Sequence, residues 1–76
     1  MNIAILGYGK MGKIIEKMAE ERGHSVVLRV GREGFEDDQL KEVDAAIDFS
    51  LPSVAYDNIR RCILNNVPVV SGTTGW

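Results

Sequence analysis

Three glycines, Gly7, Gly9 and Gly12, have the spacing that points most directly to chemistry. They follow residues 2–6, a short apolar stretch without charge, and they precede a helix-like segment at residues 13–22. A Gly-x-Gly-x-x-Gly turn between a strand and a helix can hold a pyrophosphate, because the helix start offers free amides and the positive end of its dipole. The competing interpretation is a tight turn that binds no ligand.

Four residues of this turn have separate expected roles. Gly7 permits the tight turn off the strand, Gly9 lets a pyrophosphate approach the backbone, and Gly12 lets the helix pack closely on the sheet. Lys10 adds positive charge near the phosphates. The predicted phosphate-binding segment consists of Gly7, Tyr8, Gly9, Lys10, Met11 and Gly12.

The length of 76 residues bounds the domain organisation. A complete dinucleotide-binding domain contains two mononucleotide-binding halves, and this length supplies one of them. We therefore expect residues 1–76 to be the N-terminal part of such a domain in a longer protein, with any catalytic or substrate-binding domain outside this sequence.

Composition argues against several function classes. The net charge of −2 and the dispersed basic residues do not form a nucleic-acid-binding surface. The apolar runs are far shorter than the ~20 residues of a membrane span, and the first residues do not resemble a signal peptide. A single cysteine, Cys62, excludes an internal disulfide. These features predict a cytoplasmic protein.

The hydrophobic pattern predicts an α/β fold. Strands are expected at residues 2–6, 25–30 and 44–50 and from Val67 onward, joined by helices at 13–22 and 53–65. The segment 35–43 is predicted to be a short helix or turn pinned by two apolar side chains. The expected inward positions of the second helix are Val54, Ile59, Cys62 and Ile63, and the expected anchors of the short segment are Phe35 and Leu40.

These elements predict a Rossmann-like parallel sheet of strand order 2-1-3-4 with helices on both faces. The strands show no alternation of period two, as expected when both faces are covered. In such sheets ligands bind beyond the carboxyl ends of the strands where the order reverses. The loops that follow the first, third and fourth strands should therefore converge on one crevice.

The loop after the second strand should contact the ribose of a dinucleotide. An acid there binds the ribose diol of NAD, whereas an arginine binds the 2′-phosphate of NADP. The strand ends without an acid, so Arg32 is the candidate clamp, which favours NADPH. Glu33 is the alternative contact, to the ribose diol of NADH, and a solvent-exposed Arg32 is the alternative without a ligand.

Residues after the third and fourth strands complete the candidate site. Phe49 could flank a nicotinamide or simply pack at the end of its strand, and Asp48 is expected to brace nearby loop amides. The loop after the fourth strand offers amide and hydroxyl groups for a carboxamide or ribose, or else is a plain turn. Its candidate cofactor-binding residues are Gly72, Thr73 and Thr74.

The remaining reactive residues have simpler interpretations. His24 falls at the opposite end of the sheet from the crevice, and Cys62 is expected to be a buried small hydrophobe. The pair Arg60–Arg61 is interpreted as surface charge on a helix. No nucleophile–base pair and no metal-ligand spacing is evident, so no catalytic residue and no metal ligand is predicted.

Three motifs together resemble one family. Gly7 to Gly12, then Asp-Phe-Ser-Leu-Pro at residues 48–52, then Ser-Gly-Thr-Thr-Gly-Trp at residues 71–76 resemble the N-terminal domain of 4-hydroxy-tetrahydrodipicolinate (dihydrodipicolinate) reductases. The resemblance spans nearly the whole chain. Many members carry an acid before the arginine that reads the ribose; here Gly31 precedes Arg32, so NADPH is favoured and NADH is the alternative.

The resemblance implies a function for the longer protein. It would transfer hydride from NAD(P)H to a heterocyclic substrate in lysine and diaminopimelate biosynthesis, as a homotetramer whose catalytic His/Lys motif lies in a following domain. The chain alone would bind the cofactor without turnover. Two alternatives remain: another short-fingerprint dehydrogenase of the aspartate or pyrroline-carboxylate type, or a stand-alone nucleotide-sensing module.

Overall fold

A computed structural model describes residues 1–72. Four strands form one parallel sheet in the order β2-β1-β3-β4, which confirms the predicted topology. None of the helices in this described range is long and apolar enough to cross a membrane. The elements are β1 (Asn2–Leu6), α1 (Lys10–Glu21), β2 (Ser25–Val30), a 3₁₀ turn (Asp37–Leu40), β3 (Ala45–Asp48), α2 (Pro52–Leu64) and β4 (Val69–Ser71).

The helix α1 begins at Lys10, three residues earlier than predicted, so the glycine motif overlaps its first turn. Gly12 allows this because it is buried where α1 meets the sheet. A Cβ on Gly12 would lie 3.1 Å from Cδ1 of Tyr8 and 3.3 Å from Cγ2 of Ile5. The helix ends at Glu21, and Gly23 follows with a φ of +85° as the predicted stop.

The helix α2 begins at Pro52, one residue before the predicted start, and ends before Asn66, which has a φ of +60°. Two of its predicted inward positions are wrong: Val54 and Ile63 are 48% and 63% exposed. The stripe that faces the sheet is centred on Ala55 and Cys62, both fully buried. At 3.6 residues per turn, positions 54 and 63 lie roughly 90° to either side of that stripe.

One helix covers each face of the sheet, as predicted. Ile3 and Ile5 of β1 pack with α1, whereas Ala4 and Leu6 pack with Cys62 of α2. The predicted anchors of the 3₁₀ segment, Phe35 and Leu40, are buried in the core on the α2 side.

The strand β2 departs from the predicted continuous burial, because every second residue is exposed. It is an edge strand, and its register with β1 shifts between Ile3 and Ala4, which leaves Val27 without a partner in the ladder with β1. The strands β3 and β4 are shorter than predicted. β3 spans residues 45–48 instead of the predicted 44–50. β4 begins only after Pro68, which cannot donate a ladder hydrogen bond.

Candidate functional site

A crevice of about 630 Å³ lies at the carboxyl ends of β1, β2 and β3. Its walls are the glycine turn, the loop after β2, and the loop and first turns of α2 that follow β3. β1 and β3 are neighbours in the sheet, and the chain leaves them in different directions at this point. The predicted convergence of the loops after β1 and β3 on one crevice is therefore confirmed. Gly72, the described residue of the loop after β4, is not among the residues that line the crevice, and the rest of that loop lies outside the described residues.

Gly7 is held by both of the loops around it. Its amide and that of Tyr8 donate to the same acceptor, the carbonyl of Val30, at 2.8 Å each. Its φ of +88° provides the predicted tight turn. The structure adds a close contact that the sequence did not reveal: a Cβ at this position would lie 2.5 Å from the backbone nitrogen of Ser50.

The first turn of α1 opens onto this crevice. Gly9 is the N-cap residue, no side chain among residues 1–72 caps the helix, and no acidic residue lies in its first turn. A Cβ on Gly9 would meet no atom of these residues within 4 Å. The side chains of Lys10 and Met11 are exposed at the helix start. First-turn amides have no partner inside a helix, so this end can accept an anion.

Tyr8 lines the crevice, and its hydroxyl is held from α1. The hydroxyl donates to Oε1 of Glu16 at 2.6 Å, and Nε of Arg29 on β2 donates to Oε2 of the same carboxylate at 2.8 Å. Arg29 and then Tyr8 lower the pKa of Glu16 to about 2, and the Glu16 carboxylate raises the pKa of Tyr8.

Sequence reasoning missed Glu16. The available signal was its spacing, because it lies one turn after Gly12 on the side of α1 that faces the sheet. An acidic side chain on that side of a helix needs a cationic partner.

In the loop after β2, Arg32 lies at the crevice, whereas the Glu33 side chain folds back onto its own loop. Arg32 is exposed, and it forms no ion pair with any residue of the described range 1–72. The Glu33 carboxylate accepts the amide of Gly31 at 3.0 Å, and this contact lowers the pKa of Glu33. The carboxylate is thus engaged by its own loop.

Arg61 is not the simple surface charge that the sequence suggested. Its guanidinium lies 4.1 Å over the ring of Phe35, donates to the carbonyl of that residue, and pairs with Asp37. The side chain also lines the crevice. Its neighbour Arg60 fits the predicted surface role, because it is exposed and pairs with Asp57 one turn away.

The end of β3 forms the third wall. Asp48 is fully buried, and its Oδ1 accepts the amide of Ser50 at 2.8 Å and the hydroxyl of the same residue, which confirms the predicted bracing role. Asn58 of α2 donates to that hydroxyl at 3.2 Å. The ring of Phe49 covers Gly72 so closely that a Cβ there would lie 2.1 Å from Cε1. Thr73 and Thr74 lie outside the described residues.

The other reactive groups lie away from the crevice. His24 contacts the N-terminal amine at 3.1 Å, at the opposite end of the sheet. Cys62 is buried on the face of α2 that packs against the sheet, and burial raises the pKa of its thiol. Within residues 1–72, no group of three or more His, Cys, Asp or Glu side chains is placed to hold a metal ion.

Comparisons with known proteins show the family of this chain. A family described as "Dihydrodipicolinate reductase, N-terminus" matches residues 1–76. The chain is 49% identical over 78 residues to a 4-hydroxy-tetrahydrodipicolinate reductase of Christiangramia forsetii, 37% over 81 residues to one of an Exiguobacterium species, and 35% over 78 residues to one of Alkaliphilus oremlandii. All of this chain, but 32% of each relative, is covered. The chain therefore belongs to the family of dihydrodipicolinate reductase N-terminal domains.

Proposed function

We propose that this chain binds a reduced nicotinamide dinucleotide across the crevice, with the pyrophosphate at the start of α1. The observation that carries the proposal is the first turn of this helix, which no side chain of the described part of the chain caps, with space beside Gly9 that no described residue fills. A pyrophosphate needs both donors and room, and this helix end offers both. The family membership supports the same ligand.

We assign the pyrophosphate donors from the amides of the glycine turn that donate to no other partner among residues 1–72. The amides of Gly7 and Tyr8 already donate to the carbonyl of Val30, so we do not assign them to the ligand. The proposed donors are the next amides along the chain, those of Gly9, Lys10 and Met11. The Lys10 ammonium adds attraction that salt screens. Gly12 and Tyr8 act by packing, the one against the other.

At the adenosine end, we propose that Arg32 binds the 2′-phosphate and that NADPH is preferred to NADH. Arg32 faces the crevice, whereas Glu33, the alternative contact to a ribose diol, is engaged by the amide of Gly31. A guanidinium binds a phosphate through two parallel hydrogen bonds, which makes this contact specific for NADPH.

At the other end of the crevice, we propose that Phe49 flanks the nicotinamide and that Gly72, Thr73 and Thr74 contact its carboxamide or ribose. The dinucleotide, when bound, supplies a hydride. The residues of this chain hold and orient it, and the ring of Phe49 excludes water from one side. No residue of this chain is assigned a catalytic role.

For the protein as a whole, we propose the reaction for which the relatives are named, the reduction of 4-hydroxy-tetrahydrodipicolinate, in lysine and diaminopimelate biosynthesis. The chain spans about a third of the length of these relatives, so the substrate-binding residues of this proposal lie elsewhere. A cytoplasmic location and a homotetramer belong to the same proposal. The buried thiol of Cys62 is consistent with a reducing compartment.

The test is a calorimetric titration of NADPH and NADH at one salt concentration into the protein and its Arg32→Ala variant. Loss of the 2′-phosphate contact should weaken NADPH binding by about 1–3 kcal/mol and leave NADH binding unchanged. Arg60→Ala is the matched control, because it removes the same charge from an exposed site outside the crevice. Equal affinities of the parent protein for both dinucleotides would refute the assignment of Arg32. Failure of a folded protein to bind either would refute the site.

A further inference from the structure

Arg61 joins α2 to the loop that follows β2. Its Nη2 donates to the carbonyl of Phe35 at 2.8 Å, and its Nε donates to Oδ1 of Asp37 at 2.9 Å. Its guanidinium also stacks on the Phe35 ring at 4.1 Å. The Arg61 side chain is 24% exposed, so these contacts are partly shielded from water. A planar fork that stacks and donates in two directions has one orientation.

The loop that carries Arg32 has one internal contact and one contact with α2. Within the loop, the Glu33 carboxylate accepts the amide of Gly31, so this contact spans Arg32. At the end of the loop, the buried ring of Phe35 lies beneath the guanidinium of Arg61. Gly34 alone separates this contact from Glu33. The position of Arg32 relative to α2 therefore depends on the position of Phe35.

The charge around this loop makes its position important. Glu36, Asp37 and Asp38 follow directly after Phe35, and an anion near them would be repelled. Arg61 pairs with Asp37 and thereby ties this acidic segment to α2. Arg32 of this loop lines the crevice, as Arg61 of α2 does, so the loop presents the Arg32 guanidinium to the ligand.

We propose that Arg61 is a positioning residue that sets the preference for NADPH by holding the loop of Arg32 against α2. This inference rests on the proposed binding of the 2′-phosphate by Arg32. An arginine held near its bound orientation loses less conformational freedom when the phosphate arrives. Without the anchor at Phe35, Arg32 keeps its charge and its place in the chain but loses that advantage.

The experiment compares Arg61→Met, Arg61→Lys, Arg32→Ala and the double variant Arg32→Ala/Arg61→Met. Arg60→Met is the matched control, since it replaces the adjacent arginine of the same helix. The dissociation constants for NADPH and NADH are measured by calorimetry at one salt concentration, and thermal unfolding verifies that each variant is folded. Arg61→Lys keeps the charge and the aliphatic stem, so it provides a folded variant if the methionine replacement unfolds the chain.

The expected result is a change in cofactor preference. Arg61→Met should weaken NADPH binding by about three- to tenfold, the cost of ordering one free arginine, and should change NADH binding by less than about twofold. Arg61→Lys should behave in the same way, because lysine lacks the planar fork. Arg60→Met should match the parent protein. In the Arg32→Ala background, Arg61→Met should have no further effect on the preference.

Other outcomes would overturn the inference. An equal loss for both dinucleotides would make Arg61 a purely structural residue. If Arg61→Lys kept the preference of the parent protein, Arg61 would act only through its positive charge. Additive effects of the two substitutions in the double variant would indicate that Arg61 contacts the phosphate directly. If the parent protein itself shows no preference, the assignment of Arg32 fails as well. A preference abolished in Arg32→Ala but kept in Arg61→Met refutes the role of Arg61 alone.

Discussion

A methyl group added at Gly7 and one added at Gly9 should have opposite consequences, although the two residues belong to one motif. At Gly7, the new Cβ would lie 2.5 Å from the backbone nitrogen of Ser50 and 2.7 Å from the carbonyl carbon of Phe49. These are backbone atoms, which cannot rotate away. At Gly9, the new Cβ would meet no atom of residues 1–72 within 4 Å.

The magnitudes follow from this geometry. Gly7→Ala places an L-residue at a φ of +88°, which costs about 1–2 kcal/mol, and the overlap with the β3–α2 loop costs about 1–3 kcal/mol more. For a domain of this size each 1 kcal/mol lowers the melting temperature by about 4–8 °C. Gly9→Ala replaces the N-cap glycine by the less favourable alanine, which costs about 0.5–1 kcal/mol of folding stability. Alanine also lowers the conformational entropy of the unfolded chain, which offsets this cost by about 0.4–1 kcal/mol.

The assay pairs thermal unfolding, followed by circular dichroism, with calorimetric titration of the dinucleotide. Gly7→Ala should lower the melting temperature by about 10 °C or more. Gly9→Ala should keep it within about 4 °C and weaken binding at least about tenfold, because the methyl group occupies the approach of the pyrophosphate. Full binding by Gly9→Ala would refute the phosphate position. An unchanged melting temperature for Gly7→Ala would refute the close contact with the β3–α2 loop.

Three further predictions concern the side chains around the crevice. The pKa of Glu16 is lower in the folded chain than its usual 4.5, so its carboxylate stabilises the fold above pH 4.5, and this contribution is lost as the pH falls towards 2. Glu16→Gln should therefore make stability depend less on pH over that interval in an acid-unfolding experiment. A curve like that of the parent protein would contradict the contact with Arg29. Gly72→Ala should push the Phe49 ring aside, which should lower the melting temperature and weaken dinucleotide binding. Adding Phe49→Leu should restore part of the melting temperature in thermal unfolding, and no recovery would contradict the steric contact. Cys62 should resist a thiol reagent at pH 8 in the native protein and react on unfolding, because burial raises its pKa; rapid native reaction would contradict its burial.

The sheet order and most element positions could be predicted because they depend on local signals. The glycine motif, Pro52 at the first turn of α2 and the positive-φ positions at Gly23 and Asn66 are each set by a few neighbouring residues. The right-handed crossover rule then leaves few topologies for the strands. The start of α1 at Lys10 was missed because a glycine usually weakens a helix, whereas Gly12 is required there by packing.

The contacts that shape the crevice could not be read from sequence, because they join residues far apart in the chain. Arg61 meets Phe35 and Asp37 across 26 and 24 positions, and nothing in the helical pattern distinguishes it from Arg60. The contact between Gly7 and the β3–α2 loop depends on how closely β1 and β3 approach, a property of the assembled sheet. Val54 was expected to face inward on hydrophobicity alone, yet it lines the crevice.

The carbonyl of Val30 accepts the amides of both Gly7 and Tyr8, and this shared acceptor has a consequence for loop exchange between relatives. The turn that begins at Gly7 is hydrogen-bonded to the last residue of β2, so a deletion or insertion before Val30 would displace the turn together with the strand. Changes in length after Gly31 leave that acceptor in place. Transplanted cofactor-specificity loops should therefore begin at Gly31, and natural variation in loop length should be tolerated downstream of that boundary.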